Sequence, residues 1–278
     1  QPVPCMSDWR RELEVARAAA LEAGAVLRAA RADPGARGVK ADGSPVTEAD
    51  RAANTAILAC LSAAFPGDAI LSEESADDPA RLSSPRVWLV DPLDGTRDFL
   101  EGAPDFAVHI ALVAGGAPVV AVVHEPAIGR LAEAIVGRSA WLEGDGPRRK
   151  LAVSSRRDLD QMRVGVSRFG QNRPLVQLLA ETPLGKQALP RGASTKMLDV
   201  AAGLLDATIC LHGRESEWDT CAPGLVITEA GGRVTDVDRR PLRYNQSAVR
   251  HARGVVTSNG RIHDELCRLA AEYWFRDA

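Results

Sequence analysis

The sequence predicts an α+β protein of two domains, and three observations support this. Two segments near the start, residues 8–31 and 47–64, carry apolar side chains at the spacing of amphipathic helices. Residues 106–143 form short apolar stretches separated by glycines, which is typical of an antiparallel meander. Short strands and helices alternate beyond the meander and indicate an α/β half. We therefore place the domains at residues 1–150 and 151–278.

The second helix has a clear beginning and end. Thr47 is a good N-cap, and Asp50 follows three positions later, as in a capping box. Pro66-Gly67 ends the segment. Two short apolar stretches at 69–71 and 87–90 then indicate buried strands.

The second half is predicted to contain three strands and four helices, each read from a change in apolar period. The strands are at 163–167, 207–212 and 233–237, and the helices are at 174–181, 194–205, 217–230 and 261–274.

Composition and charge exclude several classes of protein. The chain has 278 residues, 45% of them hydrophobic, and a net charge of −3, which argues against a general nucleic-acid-binding protein. The five cysteines are odd in number and contain no C-x-x-C, so we expect reduced thiols rather than disulfides or a zinc site. No apolar stretch approaches the length of a membrane span, and no signal peptide is visible. We therefore expect a cytoplasmic protein that does not contact membranes.

Acidic residues recur where apolar elements end. The stretch "WLVDPLDGTRDFLEG" places two aspartates directly after a buried strand, and "LSEES" places two glutamates after another. A further aspartate begins the apolar helix of "EWDTCAPGLVITEAGG". The carboxylates concerned are Glu73, Glu74, Asp91, Asp94 and Asp219.

These carboxylates have two interpretations. Each one alone fits a helix cap or a turn, in which Asp and Glu are common. Together they indicate a metal site, because clustered carboxylates repel one another unless a cation neutralises them. Mg²⁺ prefers oxygen ligands, and the absence of a Cys/His cluster argues against zinc. Gly95-Thr96 adds a backbone that can approach a phosphate closely, so the pattern points to phosphomonoester chemistry.

The three motifs, in their order along the chain, resemble the inositol monophosphatase superfamily of Mg²⁺-dependent, lithium-sensitive phosphatases. The resemblance runs from about residue 40 to 232. It implies a two-domain layered αβαβα sandwich of the inositol monophosphatase and sugar phosphatase type, with two or three Mg²⁺ ions per active site. Family members are often dimers, so a homodimer is possible, although no residue here indicates an interface.

The variant "DGTRDF" replaces the "DGTTNF" usual in inositol monophosphatases and resembles the 3'(2'),5'-bisphosphate nucleotidase (CysQ-type) branch. "KADGSPVTEAD" and "GASTKMLDVAAG" are similar to that branch as well. The resemblance implies hydrolysis of adenosine 3',5'-bisphosphate to AMP. An inositol or broader sugar phosphatase, a fructose 1,6-bisphosphatase and a non-catalytic sensor are the alternatives. The sensor is disfavoured because every ligand position is filled.

The resemblance also implies a role for each motif residue. Metal ligands are Glu73, Asp91, the Leu93 carbonyl, Asp94 and Asp219, and Glu74 is an outer ligand to metal-bound water. Thr96 and Asp50 form a catalytic relay that polarises the attacking water, with Glu73 also in the catalytic set. Gly95 and Thr96 present N–H groups to the phosphate.

Substrate contacts are less specific. The resemblance suggests Arg97, Ser194 and Lys196 as nucleotide contacts. The segment "LHGRESEWD" departs from both branches of the family, and its His212 and Arg214 are candidates for the lining of a base and ribose pocket. Arg97 stands where many nucleotidases have lysine, and an exposed surface arginine is its alternative interpretation. Lys196 has a helix-surface lysine as its alternative.

Overall fold

Five layers of secondary structure make up the fold. The computed structural model of the protein describes residues 8–33, 35–39, 45–144, 146–169, 172–192 and 195–274. Helices α1 and α2 cover a large sheet, α5 and α6 lie between that sheet and a smaller one, and α4 and α7 cover the smaller sheet. The helices are α1 Arg10–Ala30, α2 Glu48–Ala64, α3 Thr96–Leu100, α4 Arg173–Glu181, α5 Thr195–Ala201, α6 Glu217–Glu229 and α7 His263–Trp274.

The strands fall into a two-stranded hairpin, a seven-stranded sheet and a five-stranded sheet. In the hairpin they are β1 Arg37–Val39 and β2 Pro45–Thr47. The larger sheet contains β3 Ala69–Ser72, β4 Arg86–Asp94, β5 Ala107–Ala114, β6 Ala117–Glu125, β7 Arg130–Ile135, β8 Ala140–Glu143 and β9 Arg149–Lys150. The smaller sheet contains β10 Val164–Ser167, β11 Ala188–Arg191, β12 Ala207–Cys210, β13 Arg233–Thr235 and β14 Val255–Ser258.

The larger sheet follows the chain from β3 to β9 without a crossover. Only β3 and β4 are parallel, and every later neighbour is antiparallel, so the predicted meander is confirmed. Both faces are apolar because helices cover both. On β4, Trp88 and Val90 pack against α1 and α2, whereas Val87 and Leu89 face α6. The predicted N-cap of α2 is also confirmed, since Thr47 and Asp50 form a capping box.

The smaller sheet has the order β11-β10-β12-β14-β13. β11, β10 and β12 are parallel, as alternating strands and helices predict, whereas β14 is antiparallel to both β12 and β13. Apolar side chains of α4 and α7 pack on its outer face. The layered αβαβα sandwich is therefore confirmed, although β11 and β14 were not predicted.

Some predicted bounds were wrong. The helix expected over 194–205 is α5, which ends at Ala201, because the chain turns through Gly203 at φ +71°. Residues 193–194 lie outside the described part of the chain. The proposed domain boundary falls between β9 and β10, yet α6 packs on the larger sheet. The division into two domains stays a prediction. No helix in the described ranges is long and apolar enough to cross a bilayer.

Candidate active site

Four acidic side chains meet at one edge of the larger sheet. β3 and β4 are parallel, so their carboxyl ends meet at that edge: Glu73 directly follows β3, and Asp91 and Asp94 lie in the last part of β4. The Glu73 N–H donates to the Val90 carbonyl at 3.1 Å, which keeps the two chain ends together. Asp219 arrives from the first turn of α6, whose apolar side chains pack on the same sheet. The fold thus brings together carboxylates that the sequence spreads over almost 150 positions.

An irregularity in β4 separates the two aspartates. Asp91 pairs with His109 and Asp94 pairs with Ala107, so three steps on β4 match two on β5. Bulges of this kind re-aim side chains beside functional sites. The Leu93 N–H donates to Asp91 Oδ1 at 3.0 Å, and the Leu93 carbonyl oxygen lies 3.2 Å from the Thr96 hydroxyl oxygen.

The acidic side chains line a cavity of about 220 Å³. Most predicted site residues are there, together with four that were not predicted. The lining residues are Pro45, Glu73, Asp91, Leu93, Asp94, Gly95, Thr96, Arg97, Asp98, Ser167, Phe169 and Asp219. Gly95 adopts φ +88°, a left-handed conformation that favours glycine, and this turn leads the chain from β4 into α3.

Burial and mutual repulsion raise the pKa of the clustered carboxyls. Burial raises the pKa of Asp91 and of Asp219 well above the usual range, and the neighbouring carboxylates add to both shifts. Burial likewise raises the pKa of Asp94 to about 7. The charge of Lys196 lowers this pKa, whereas the nearby Glu73 carboxylate raises it further. A cluster whose members resist ionisation together is suited to a divalent cation, which would neutralise several at once. An all-carboxylate oxygen donor set fits a hard cation such as Mg²⁺.

His109 lies beside this cluster, although it was not among the predicted site residues. Its Nε2 is 3.8 Å from Asp94 Oδ2, and Asp91, Asp94 and His109 each offer an atom within 4.8 Å of the others. Burial lowers the pKa of His109 to about 4, so the imidazole is neutral at pH 7. A single histidine within the apolar stretch "FAVHIALV" was the sequence signal for this position, and the β4–β5 register then sets it opposite Asp91.

Thr96 connects the cavity to a buried carboxylate. Its hydroxyl lies 3.0 Å from Asp50 Oδ1, and Asp50 itself is only 1% exposed. The other Asp50 oxygen accepts two hydrogen bonds from Thr47, from N–H at 2.8 Å and from Oγ1 at 2.5 Å. Asp50 Oδ1 is therefore left for Thr96. The predicted relay pair is thus adjacent in the structure.

Lys196 is buried rather than on a helix surface. All seven residues of α5 are buried, because the helix lies between the two sheets. The Lys196 ammonium donates to Ser167 Oγ at 3.0 Å. It also lines a smaller cavity of about 70 Å³ that shares Asp94 and Asp219 with the main one. Lys196 is therefore a cation directly behind the acidic cluster.

The two residues after Thr96 contact the segment that ends β10. Arg97 lies over the Phe169 ring, with its guanidinium carbon 4.1 Å from the ring centroid. Asp98 is buried and accepts a 2.5 Å hydrogen bond from Arg168. Ser167 and Phe169 were not predicted as site residues. The only sequence signal for them was a predicted strand that ends in a polar residue.

The remaining predicted residues are not brought into the main cavity. His212 Nε2 pairs with Glu215 at 3.2 Å, and Arg214 is exposed in the turn before α6. Glu74 is half-buried beside Glu73 but is not among the described lining residues. Ser194 lies outside the described residues. The roles suggested for these four residues stay predictions.

Known proteins match this chain over most of its length. The model of the inositol monophosphatase family matches residues 8–274. The chain is 36% identical over 237 residues to the histidinol-phosphatase of Mycobacterium tuberculosis H37Rv, which covers 84% of this chain and 87% of that protein. It is 38% identical over 209 residues to the 3'(2'),5'-bisphosphate nucleotidase CysQ of Escherichia coli K12, covering 74% and 81% respectively.

The fold is also found among solved structures. The IMPase of Thermotoga maritima superposes with a TM-score of 0.81 at 26% identity, over 97% of this chain and 99% of that one. The family match spans all the described residues, including every carboxylate of the cavity. The chain therefore belongs to the inositol monophosphatase family and is a phosphatase of that family.

Proposed function

We propose that the protein is a Mg²⁺-dependent 3'(2'),5'-bisphosphate nucleotidase that hydrolyses adenosine 3',5'-bisphosphate to AMP and phosphate. The observation that carries the catalytic part is the meeting of Glu73, Asp91, Asp94 and Asp219 at one cavity, beside the Thr96–Asp50 pair. The similarity to CysQ and the cations around that cavity support the choice of substrate.

The four carboxylates and the Leu93 carbonyl would hold Mg²⁺. Bound there, Mg²⁺ supplies Lewis acidity to the attacking water and offsets the negative charge of the phosphoryl group. The protein's own part is to fix these ligands: the β3–β4 pairing holds Glu73 and Asp91, and the capping box of α6 holds Asp219 through the Ser216 N–H at 2.6 Å.

Thr96 and Asp50 would orient the water and receive its proton. Asp50 does not line the cavity, so any proton must reach it through the Thr96 hydroxyl, which does. Thr96 donates its own proton toward Asp50, which leaves the oxygen lone pairs to accept a hydrogen bond from water. Thr47 holds the far oxygen of Asp50, so the relay is oriented before substrate binds.

Cations near the cavity favour a substrate with two phosphates. Lys196 lies behind Asp94, and Arg97 lines the cavity with an exposed guanidinium. A bisphosphate needs positive partners for the phosphate that is not transferred. Arg168 is close by but is already paired with Asp98 and Asp105.

Histidinol phosphate is a second candidate substrate, favoured by the similarity to the mycobacterial histidinol-phosphatase. Its ammonium group would need a carboxylate that neither a metal nor an arginine occupies. Asp98 lines the cavity but is neutralised by Arg168. The charges of the cavity therefore favour the bisphosphate over histidinol phosphate.

The test is phosphate release with Mg²⁺ from adenosine 3',5'-bisphosphate, histidinol phosphate and inositol 1-phosphate at matched concentrations, with EDTA and Asp94→Asn as controls. We expect kcat/KM for the bisphosphate to exceed the others by at least about 100-fold. Chromatography should show AMP rather than adenosine 3'-phosphate. A preference for either other substrate would overturn the nucleotidase proposal and leave the phosphatase assignment intact.

A further inference from the structure

Phe169 is the only aromatic residue among the described lining residues of the active-site cavity. The chain is poor in aromatics, at 4%, and most of its rings lie in the apolar core. Phe169 is half-buried and belongs to none of the three apolar clusters that the described residues form. Its ring therefore adds little to core packing, although an exposed aromatic ring has a hydrophobic cost.

The ring is held in place at the cavity rim. Arg97 lies over it with the guanidinium carbon 4.1 Å from the centroid, within the range of a cation–π contact. Arg97 is itself restrained by Glu101, at 3.4 Å. Part of the ring surface is thus covered by a cation, and part faces the cavity.

The chain on the N-terminal side of Phe169 is fixed on several sides. The Arg168 N–H donates to the Arg191 carbonyl at 2.9 Å, and the Arg168 side chain binds Asp98 and Asp105. Ser167 accepts from buried Lys196. A ring carried on such a segment is ordered before a ligand arrives, which lowers the entropic cost of a contact with it.

An ordered ring at the rim of a polar cavity fits a flat partner. The rest of the cavity lining is dominated by carboxylates and backbone suited to the metal and phosphate. A leaving group that extends from the phosphate toward Phe169 would bring a nitrogen heterocycle into stacking distance of the phenyl ring. A polyol such as inositol offers no π-face and gains no comparable contact.

We infer that Phe169, with Arg97 behind it, is a specificity-determining residue that selects phosphomonoesters whose leaving group carries a nitrogen heteroaromatic ring. This inference rests on the proposed phosphatase function. It applies to the adenine of a nucleotide and to the imidazole of histidinol alike, so it does not depend on which of the two is the substrate. It makes Phe169 a binding residue that acts on KM more than on kcat.

The experiment compares two inhibitors that differ only in the base, AMP and ribose 5-phosphate. Each is titrated against turnover of the best substrate found, for the wild type and for Phe169→Ala, Phe169→Leu and Phe169→Tyr. Base stacking on an aromatic side chain corresponds to about a 5- to 150-fold change in affinity. We therefore expect AMP to bind at least about 5-fold more tightly than ribose 5-phosphate in the wild type.

In Phe169→Ala and Phe169→Leu that preference should vanish, while ribose 5-phosphate inhibits as before. Phe169→Tyr keeps a ring and should restore the preference. Val176→Ala, which shortens an exposed apolar side chain on α4, is the matched control and should behave as the wild type. Melting temperatures identify any variant that has not folded. If Phe169→Ala does not fold, Phe169→Leu keeps much of the apolar volume and still removes the ring.

Two results would overturn the inference: equal inhibition by AMP and ribose 5-phosphate in the wild type, or a preference for AMP that survives Phe169→Ala and Phe169→Leu. Failure of the nucleotidase proposal looks different, because it appears in the ranking of wild-type substrates. If histidinol phosphate ranks first and Phe169→Ala raises its KM without a matching fall in kcat, the nucleotidase proposal is wrong and the role of Phe169 stands.

Discussion

The Thr96 hydroxyl lies 3.0 Å from Asp50 Oδ1, although 46 positions separate the two residues in the chain. Thr96 follows the bulged end of β4, and Asp50 lies in the first turn of α2. The contact therefore depends on how α2 packs against the larger sheet. It also gives a buried carboxylate its single described route to the cavity, since Asp50 is 1% exposed and Thr96 is half-buried.

Replacement of this hydroxyl should remove turnover without removing the fold. Thr96→Val keeps the shape of the side chain and deletes the donor to Asp50, so we expect kcat to fall about 100-fold or more. Thr96→Ser keeps the hydroxyl and should retain kcat within about 10-fold of the wild type. Steady-state phosphate release measures both variants, and circular dichroism confirms folding. A Thr96→Val enzyme with near-normal kcat would show that the relay is not used.

Mg²⁺ should reverse the order of stability of the wild type and Asp219→Asn. The amide keeps an oxygen for the Ser216 N–H but removes one charge from the repelling cluster. In EDTA we expect the variant to melt at or above the wild type. With saturating Mg²⁺ the wild type should melt higher, because a ligand at 100 times its Kd stabilises by about 2.7 kcal/mol.

Thermal unfolding with and without Mg²⁺ measures the melting temperatures of the wild type and Asp219→Asn and thus the change in their order. Asp160→Asn serves as the matched control, since Asp160 is an exposed carboxylate paired only loosely with Lys186 at 3.7 Å. On addition of Mg²⁺ the melting temperature of Asp160→Asn should rise by the same amount as that of the wild type. Equal Mg²⁺ stabilisation of wild type and Asp219→Asn would mean that Asp219 does not bind the metal.

The candidate metal ligands could be identified in the sequence because each lies in a compact local motif. Glu73 ends one strand, Asp91 and Asp94 end its neighbour, and Asp219 lies where an apolar helix begins. Periodicity locates such ends, and the parallel pairing of β3 and β4 then brings the first three together. The five-layer fold followed from the resemblance, whereas periodicity alone indicated only an α+β protein.

The rest of the site depends on packing that no local pattern encodes. Lys196 looks like a helix-surface lysine in sequence, yet α5 lies between two sheets and every face of it is buried. Ser167 ends β10 of the smaller sheet and Phe169 follows two positions later. Contacts with Asp98 and Lys196, among others, hold this segment at the cavity. β14 was missed because a long irregular stretch precedes it, and it pairs with distant β12 and β13.

The ion pair between Arg168 and Asp98 should support both stability and substrate affinity. Asp98 is 2% exposed, so Arg168→Ala leaves a buried carboxylate without its partner. We expect a loss of about 1–3 kcal/mol in the free energy of unfolding and a higher KM for the substrate, since Ser167 and Phe169 flank Arg168. Arg157→Ala removes an exposed arginine of the same half and should cost less than about 0.5 kcal/mol. Urea unfolding and steady-state kinetics measure these effects. Equal losses for the two variants would contradict a structural role for the pair.

Glu125 should make the protein less stable as pH rises from about 5 to 7. The side chain is fully buried at the end of β6, where Arg130 donates to Oε2 at 2.6 Å and Oε1 has no hydrogen-bond partner within the described residues. Burial raises the pKa of Glu125 to about 7 and outweighs the opposing effect of Arg130. The unfolded chain releases this proton near pH 4.3, so between these pH values the folded protein holds more protons. Stability is then highest at the acidic end and falls by up to about 1.4 kcal/mol per pH unit until the folded carboxyl has ionised.

Glu125→Gln keeps the size of the side chain and cannot ionise, so it isolates this effect from other groups that titrate in the same range. Urea unfolding of both proteins at pH 5, 6, 7 and 8 in saturating Mg²⁺ gives the difference in free energy of unfolding at each pH. Relative to the variant, the wild type should lose stability between pH 5 and 7 and change little above that. The glutamine variant cannot ionise, so only the wild type can show a pH dependence that comes from Glu125. If the difference in free energy of unfolding between the two proteins stays constant across this range, Glu125 is ionised in the folded protein throughout.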